Sequence, residues 1–261
     1  MDTRQFGAAR SRPHRLASSS ARLSGTPRWQ SPGPGEGRSL PRQCAGHAAR
    51  SVGGRLDAAV HQPAAWTPVS LVPQADGSPI PFPHFYERGK LGYISVDRRG
   101  RRFVNESKSY HVYVPELIEA CRGDATIEAW IVCDHRAIRR FGLGALGPAP
   151  MPMRAFLSSG YIKRADSPAA LALACGIDPE GLDRTLRAFN ASARHGEDLQ
   201  FQRGSDAYQR FKGAADHFPN PCVAPLEQPP FYAVRVVPGE LGTFAGIATN
   251  AHAQVIDGAG A

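Results

Sequence analysis

The 261-residue chain is long enough for one large domain or two small ones, and its formal net charge is +8. All of that charge lies in residues 1–56, which hold ten arginines and two acidic residues, whereas residues 57–261 hold 21 basic and 21 acidic residues. A folded basic face is therefore not indicated, and we expect no nucleic-acid partner. No apolar run approaches the ~20 residues that a membrane helix needs, so we expect no membrane span.

The cysteine pattern indicates a reducing compartment. Five cysteines occur, and no two are spaced as C-x-x-C. An odd number without that spacing argues against a disulfide framework and against a zinc site. No apolar segment of the kind found in secretory signals follows Met1. The sequence therefore predicts a cytoplasmic protein without a metal site.

Residues 1–56 differ from the rest of the chain. They are rich in Arg, Ser, Pro, Gly and Ala, and such a composition buries too little apolar surface to offset the entropy of ordering. Three interpretations remain open: a transit peptide, a disordered tail, and a leader that arose from a shifted reading frame and is not family sequence. We favour the third over the second, and we expect the segment to be disordered.

A loop and a short strand at Leu71–Val72 precede an extended connector that contains Pro79, Pro81 and Pro83. A β-hairpin follows. Residues 93–96 are β-branched or aromatic, and Asp97-Arg-Arg-Gly100 has the residues of a type I turn. Residues 101–105 then return as a strand, with Phe103 and Val104 on opposite faces, and lead into a polar loop that holds Tyr110.

The middle of the chain predicts a buried strand between short helices. Pro115–Cys121 is predicted to be a helix with proline in its first turn, and Ala129–Cys133 is a continuous apolar run typical of a buried strand. Asp134, His135 and Arg136 close that strand, and we interpret His135 as a cap or an ion-pair partner. Gly142–Gly147 matches G-x-G-x-x-G, but helix-like residues precede it and prolines follow, so we expect no dinucleotide-binding turn.

Two helices are predicted next. Ser167 caps the first, which ends at Gly176, and Asp178-Pro179 begins the second. The second carries an apolar stripe at helical spacing formed by Leu182, Leu186, Phe189 and Ala193. Such a stripe is typical of a core-facing helix.

The last part of the chain predicts a long surface excursion followed by strands. Residues 196–220 are polar with scattered aromatics, and 231–237 reads as a strand that Pro238-Gly239 then turns. Residues 242–246 predict tight backbone. Residues 247–249 and 255–257 predict the two strands of another hairpin.

Two segments resemble one known family. The pattern Gly92-x-x-x-Val-x-x-x-Gly-x-Arg-Phe-Val-Asn-Glu-Ser-x-x-Tyr110 resembles the cap-domain hairpin of the FAD-dependent fumarate reductase-like flavoproteins. Its tyrosine version is similar to the branch that contains 3-oxosteroid 1-dehydrogenase. Residues 230–246 resemble the segment where that family's chain leaves the cap and re-enters the flavin domain. The resemblance covers roughly residues 53 to 261.

The resemblance implies an α+β fold, a flavoprotein cap (catalytic) domain with short stubs of a flavin-binding α/β domain. Residues 1–56 are the leader, and 57–78 are a stub of the flavin-binding domain. Residues 79–242 are the substrate-capping catalytic domain, and 243–261 begin the returning flavin-domain segment. The family's first flavin-binding segment and its C-terminal glycine-rich segment have no counterpart, so we expect this chain alone to be inactive and to bind no stoichiometric FAD.

The resemblance also implies the site residues and the cofactor, FAD. In the family, the tyrosine at the position of Tyr110 acts at the carbon next to the substrate's carbonyl, while the flavin takes a hydride. Thr243 and Gly246 match the positions where backbone approaches the flavin. Fumarate-reducing relatives carry His-His-Thr-Met-Gly-Gly there, and this chain has Leu241-Gly-Thr-Phe-Ala-Gly246 instead. That difference favours a neutral, steroid-like or enone-type substrate over a dicarboxylate.

Two functions from different classes remain as candidates. The first is part of an FAD-dependent oxidoreductase that dehydrogenates a ketosteroid-like or other carbonyl-activated, hydrophobic small molecule. The second is a non-enzymatic cap-like domain that binds a partner protein or a hydrophobic ligand. Purified enzyme is expected to be yellow, and a binding module colourless.

Overall fold

The computed structural model describes residues 66–240 and 247–256, and this part of the chain contains both strands and helices. The strands are β1 (Trp66–Pro73), β2 (Pro79–Pro83), β3 (Tyr93–Val96), β4 (Ala129–Cys133), β5 (Ile162–Ala165) and β6 (Phe231–Glu240). The helices are α1 (Tyr110–Ala120), α2 (His135–Phe141), α3 (Arg154–Ser158), α4 (Pro168–Cys175), α5 (Pro179–Ala193) and α6 (Ala207–Lys212). The predictions for residues 1–65, for 241–246 and for 257–261 lie outside the described residues.

The long strand β6 lies at the centre of an antiparallel sheet. The strand order is β2-β1-β6-β4-β3, and β5 also pairs with β6. The first half of β6 pairs with β4 and β5, and its second half pairs with β1. The expected turn at Pro238-Gly239 is therefore wrong, because these residues pair with Pro68 and Thr67. Glycine at position 239 allows β1 and β6 to approach closely, since a Cβ there would lie 2.5 Å from Val69.

Each face of the sheet is covered by a separate hydrophobic cluster. Alternate residues of β4 point to opposite clusters, with Ile131 in one and Trp130 and Val132 in the other. Helices α1 and α2 complete the first cluster, and α4 and α5 complete the second. The fold thus combines helices with an antiparallel sheet, in agreement with the predicted α+β class, although the helices cover both faces of the sheet. The continuous apolar run predicted as a buried strand is confirmed, with all five residues of β4 buried.

The helices at 168–193 confirm the capping signals read from the sequence. Ser167 accepts a hydrogen bond from the Ala170 backbone N–H, and α4 ends at Gly176 with φ +67°. Asp178 accepts from the Glu180 backbone N–H at the start of α5. The whole predicted stripe is buried: Leu182, Leu186, Phe189 and Ala193.

The hairpin is confirmed at its turn but not in its returning strand. The Gly100 N–H donates to the Asp97 carbonyl at 2.9 Å, which closes the turn. Beyond it, pairing is reduced to one bridge between Val96 and Arg102. Phe103 and Val104 both pack against the first cluster, so their expected placement on opposite faces is wrong. Strand alternation does not apply, because the chain leaves the sheet directly after the bridge.

Helix α1 begins five residues earlier than predicted. The N–H groups of Val112 and Tyr113 donate to the Ser109 carbonyl, which starts the helix at Tyr110. Pro115 therefore lies inside the helix and not in its first turn. Proline removes one backbone hydrogen bond there, and the burial of Tyr113, Val114 and Leu117 offsets that loss. Tyr110 thus stands at a helix start and not in a loop.

The segment 196–220 is not a surface excursion. It contains α6, and several of its polar side chains are buried against the hairpin: Asp198, Arg203, Gln209 and Lys212. The polar composition of this segment predicted that it is exposed to solvent. These side chains are buried instead, because they pair with other polar groups.

The remaining segments agree in part with the predictions. The proline-rich connector forms β2, which pairs with β1 across a turn at residues 74–78, where the proposed boundary at residue 78 falls. The hairpin near the end is a single bridge between Thr249 and Val255. Gly142–Gly147 follows α2 and not a strand, which confirms that it is no dinucleotide-binding turn.

Two further features of the described residues concern membrane-spanning helices and cysteines. Among the helices described, none has the length and apolarity needed to cross a membrane. The cysteines in the same part of the chain are free and buried: Cys121, Cys133, Cys175 and Cys222.

Gly100 tests how the hairpin turn is fixed to α5. Its φ is +70°, and a Cβ there would lie 2.2 Å from the Leu182 backbone nitrogen. We expect Gly100→Ala to lower the free energy of unfolding by about 2 to 4 kcal/mol, since strain and overlap add. Gly123→Ala is the matched control, because Gly123 has φ +85° and nothing within 4 Å of its added Cβ. Equal denaturation midpoints for the two variants would contradict the close packing at Gly100.

Candidate active site

A buried carboxylate, Glu106, holds the start of the Asn105–Tyr110 segment. It accepts hydrogen bonds from the Ser95 backbone N–H at 3.0 Å, from Arg102 Nε at 2.9 Å and from Arg203 at 3.0 Å. Arg102 also donates to both oxygens of Asp198, at 2.8 and 2.7 Å. Two carboxylates and two guanidinium groups thus form a balanced network inside the protein.

The network keeps its carboxylates ionised. Burial by itself would raise the pKa of Glu106, but the charges of Arg102 and Arg203 outweigh it and lower that pKa. The pKa of Asp198 is lowered in the same way, against the effect of burial, by hydrogen bonds and charge from Arg102. The Arg102 guanidinium lies over the rings of Phe189 and Phe201, 4.8 and 4.9 Å from their centroids.

Asn105 and Ser107 complete the anchoring of this segment. The Asn105 amide donates to the Phe201 carbonyl and to Gln209, both at 2.9 Å. Its oxygen accepts from the Ser107 N–H, and the Ser107 hydroxyl donates to the Gly89 carbonyl at 3.0 Å. The Asn-Glu-Ser part of the motif is therefore engaged in structural contacts. It positions the start of α1 and leaves no free group for chemistry.

Tyr110 is the residue that this anchored segment presents. Its ring is half-buried and packs edge-on against Phe85, with 5.6 Å between the centroids. Within the described residues, no hydrogen bond to the Tyr110 hydroxyl is seen. Lys108, which lies close to it in sequence, is exposed.

The buried tyrosines nearby behave differently. Tyr113, one turn further along α1, is fully buried and donates to the Ser95 hydroxyl at 2.9 Å, and burial raises its pKa. Tyr93 donates to the Ala137 carbonyl at 3.0 Å, and Tyr161 shares a hydrogen bond of 2.6 Å with Ser70. These three hydroxyls are therefore engaged in hydrogen bonds, in contrast to the Tyr110 hydroxyl.

A second buried polar group joins β1, the segment that follows β2, and the residue directly before β5. His84 contacts the Glu87 carboxylate through Nδ1, and its Nε2 lies 2.7 Å from the Ser70 hydroxyl. Ser70 in turn contacts Tyr161, whose oxygen accepts from the Ala145 N–H at 3.0 Å. Burial opposes ionisation of Glu87, yet the charge and hydrogen bond of His84 lower its pKa. The group holds residue 84, and therefore Phe85 beside it, in place against Tyr110.

Sequence reasoning found Tyr110 but missed most of its supports. His84, Ser70, Asp198 and Arg203 carry no local pattern, since their partners lie far away in the chain. His135, interpreted as a cap, stacks on Tyr232, and the α2 cap is Asp134. Thr243 and Gly246 lie outside the described residues. In the part of the chain that the structure describes, no group of His, Cys, Asp or Glu side chains could hold a metal ion.

Comparison with known proteins gives the family. A model of the FAD binding domain matches residues 30–261. The chain is 40% identical over 206 residues to 4-oxocyclohex-2-ene-1-carboxylate 5-dehydrogenase of Sinomonas cyclohexanicum, which covers 79% of this chain and 35% of the relative. It is 37% identical over 175 residues to 3-oxosteroid 1-dehydrogenase of Mycobacterium tuberculosis, covering 65% of this chain and 31% of the relative.

A solved structure agrees with these relatives. The crystal structure of 3-ketosteroid delta1-dehydrogenase from Sterolibacterium denitrificans, in complex with 1,4-androstadiene-3,17-dione, superposes with a TM-score of 0.71. Identity is 31%, and the match covers 82% of this chain and 38% of that chain.

This chain belongs to the FAD binding domain family, whose relatives here are FAD-dependent oxidoreductases. The resemblance read from the hairpin motif is confirmed, and so is FAD as the cofactor of the family. The chain spans about a third of the length of the curated relatives it matches. The match begins at residue 30, inside the predicted leader.

Replacing Glu106 tests the balanced network. We expect Glu106→Gln to cost about 3 to 5 kcal/mol of unfolding free energy, because it leaves Arg102 and Arg203 buried with too little negative charge. Glu180→Gln is the control: Glu180 pairs with Arg184 on the surface, where such pairs contribute about 0 to 1 kcal/mol. Similar urea midpoints for both variants would count against the network's structural role.

The same carboxylate predicts a pH dependence. The pKa of Glu106 is lower in the folded than in the unfolded chain, where a glutamate has a pKa of about 4.3. Its stabilising contribution is therefore fully present above that value and is lost as the pH falls through the folded-state pKa. As the pH falls, the urea midpoint of the wild type should decrease more steeply than that of Glu106→Gln. Parallel acid profiles would exclude a contribution from Glu106.

Proposed function

We propose that the protein containing this chain is an FAD-dependent dehydrogenase that forms a carbon–carbon double bond next to the carbonyl of a cyclic ketone. Residues 79–242 are, in this proposal, the substrate-capping catalytic domain. The observation that carries it is Tyr110, whose hydroxyl has no partner among the described residues while its segment is held by Glu106 and Asn105. The relatives named above act on a ketosteroid and on an oxocyclohexene carboxylate, both of which are cyclic ketones.

Within this mechanism the chain contributes the proton step. The carbonyl makes the neighbouring C–H acidic, and the Tyr110 oxygen takes that proton as the double bond forms. FAD supplies the acceptor for the hydride that leaves the next carbon. Phe85 and the His84 group hold the Tyr110 ring so that its oxygen meets the substrate in one orientation.

The described residues do not form the site for the dinucleotide end of FAD. That site needs a strand, a glycine turn and a helix in succession, and Gly142–Gly147 lies after a helix. Thr243 and Gly246 are proposed to approach the flavin, on the resemblance alone. The described residues therefore account for proton transfer and for the orientation of the substrate.

We expect this chain by itself to bind no stoichiometric FAD, because its described residues hold no dinucleotide-binding turn. Flavin absorbance of the purified chain, after incubation with FAD and gel filtration, measures this directly. A yellow chain that retains one flavin per molecule would contradict the prediction. A colourless chain would agree with it.

Replacing Tyr110 tests the proton step. In the FAD-loaded protein, we expect Tyr110→Phe to slow substrate-dependent flavin reduction 10²–10⁴-fold, since Phe keeps the ring packing on Phe85 and removes only the oxygen. Flavin content should not change. Stopped-flow flavin bleaching with a cyclic ketone at saturating concentration measures the rate.

The matched control is Tyr113→Phe, one turn along α1. It removes a hydroxyl that bonds to Ser95, so it should lower stability by about 0.5 to 1.5 kcal/mol with little change in flavin reduction. A loss below threefold for Tyr110→Phe, when chemistry limits the rate, would assign Tyr110 a structural role.

A further inference from the structure

Three cationic side chains lie together beside the Tyr110 segment without a carboxylate partner. Arg88 is 1% exposed and Lys212 is 5% exposed, and Lys90 is partly buried. Among the described residues, Arg88 donates to the carbonyls of His84 and Glu106, and its guanidinium lies 4.9 Å from the centroid of the Tyr113 ring. The Lys212 ammonium contacts the Ser107 carbonyl at 3.4 Å, and that of Lys90 contacts the Gly213 carbonyl at 2.8 Å.

The nearest carboxylates are engaged elsewhere. Glu87 is bound to His84, and Glu106 is bound to Arg102 and Arg203. Among the residues that the structure describes, no carboxylate forms an ion pair with Arg88, Lys90 or Lys212. Burying an unpaired charge is costly, so buried cations are normally paired. Within the described chain, this positive charge is offset only by carboxylates that are not in ion-pair contact with it, Glu87 and Glu106.

The electrostatics of Lys212 reflect this imbalance. Burial, followed by the charge of Arg88, lowers the pKa of Lys212 to about 8, with a smaller lowering from Lys90. Glu87 and Cys222 act in the opposite direction but do not restore the usual pKa. Burial also lowers the pKa of Lys90. A bound anion would relieve the repulsion among these cations and hold the proton on Lys212.

Aromatic rings and the neighbouring segment indicate where such an anion would sit. The Lys212 ammonium lies 5.0 Å from the centroid of the Tyr208 ring, and Tyr208 is 53% exposed, so the group reaches the surface there. Arg88 donates a hydrogen bond to the His84 carbonyl. His84 directly precedes Phe85, which packs on Tyr110. Lys212 contacts Ser107, three residues before Tyr110. Arg88 and Lys212 thus contact the two segments that carry Phe85 and Tyr110.

We propose that Arg88, Lys90 and Lys212 bind a carboxylate, with Arg88 and Lys212 as the main ligands. The occupant is a cyclic ketone that bears a carboxylate, and this identification rests on the function proposed for Tyr110. This proposal of an oxo-acid differs from the expectation of a neutral substrate that was made from the missing histidines. Arginine and lysine supply the donors, and the carboxylate supplies the missing negative charge.

The test measures binding by calorimetry to the FAD-loaded protein that contains this chain. The probes are a cyclohexanone with a ring carboxylate, its methyl ester, and cyclohexanecarboxylate without the ketone. We expect Lys212→Gln to weaken the oxo-acid at least tenfold and to leave the ester unchanged. Lys108→Gln removes the same charge from an exposed position on the Tyr110 segment and should change neither.

A pH series separates a ligand-binding lysine from a structural one. Oxo-acid binding to the wild type should weaken as the pH rises through about 8, because Lys212 then loses its proton. The ester should bind independently of pH, and Lys212→Gln should lose the slope. Lys212→Gln should also unfold at the same or a higher urea concentration, because it removes a buried cation that lacks a partner.

The outcomes are distinct. Equal affinity of the wild type for oxo-acid and ester would overturn the site. Cyclohexanecarboxylate bound as tightly as the oxo-acid would keep the anion site and overturn the assignment to a ketone substrate. Unchanged turnover in Tyr110→Phe, together with a tenfold loss of oxo-acid binding in Lys212→Gln, would refute the proposed function and leave the carboxylate site standing.

Discussion

The carboxylate of Glu106 is the contact on which the arrangement of this structure depends. It lies inside the protein and is shared by the β3 backbone at Ser95, by Arg102 of the hairpin and by Arg203 of the segment after α5. Asp198 completes the charge balance through Arg102. Each of these groups would be expensive to bury alone, so the four are stable only together. Parts of the chain almost a hundred residues apart are thereby held in one relation.

Close to this paired network lie polar groups that lack such a partner among the described residues. Tyr110 comes directly after the anchored residues, and its hydroxyl has no hydrogen-bond partner among the described residues, unlike the hydroxyls of Tyr113 and Tyr161. Arg88 and Lys212 are the exceptions among buried cations, next to an arginine pair whose charges are balanced.

The fold divides the chemistry in the way that the family membership requires. An antiparallel sheet covered on both faces has no parallel strand leading through a glycine turn into a helix, so the described residues offer no cradle for a dinucleotide. They offer a helix start that carries a tyrosine, supported by the His84 group behind Phe85. In the function proposed above, proton transfer and substrate orientation are their part in the oxidoreductase.

The sequence by itself determined the features that depend on neighbours in the chain. The caps at Ser167 and Asp178, the apolar stripe of α5, the buried strand β4 and the Asp97–Gly100 turn result from local hydrogen bonding and periodicity. The motif ending in Tyr110 is local too, and for that reason the family and the candidate residue could be recognised before the fold.

Only the tertiary structure decided which polar residues are buried and which of them lack a partner. Polar composition made residues 196–220 look exposed, yet Arg203 and Lys212 are inside. A buried cation is stabilised when a carboxylate pairs with it, and that carboxylate comes from elsewhere in the chain. Pro238-Gly239 likewise continues a strand because β1 lies beside it, and no local pattern contains that strand.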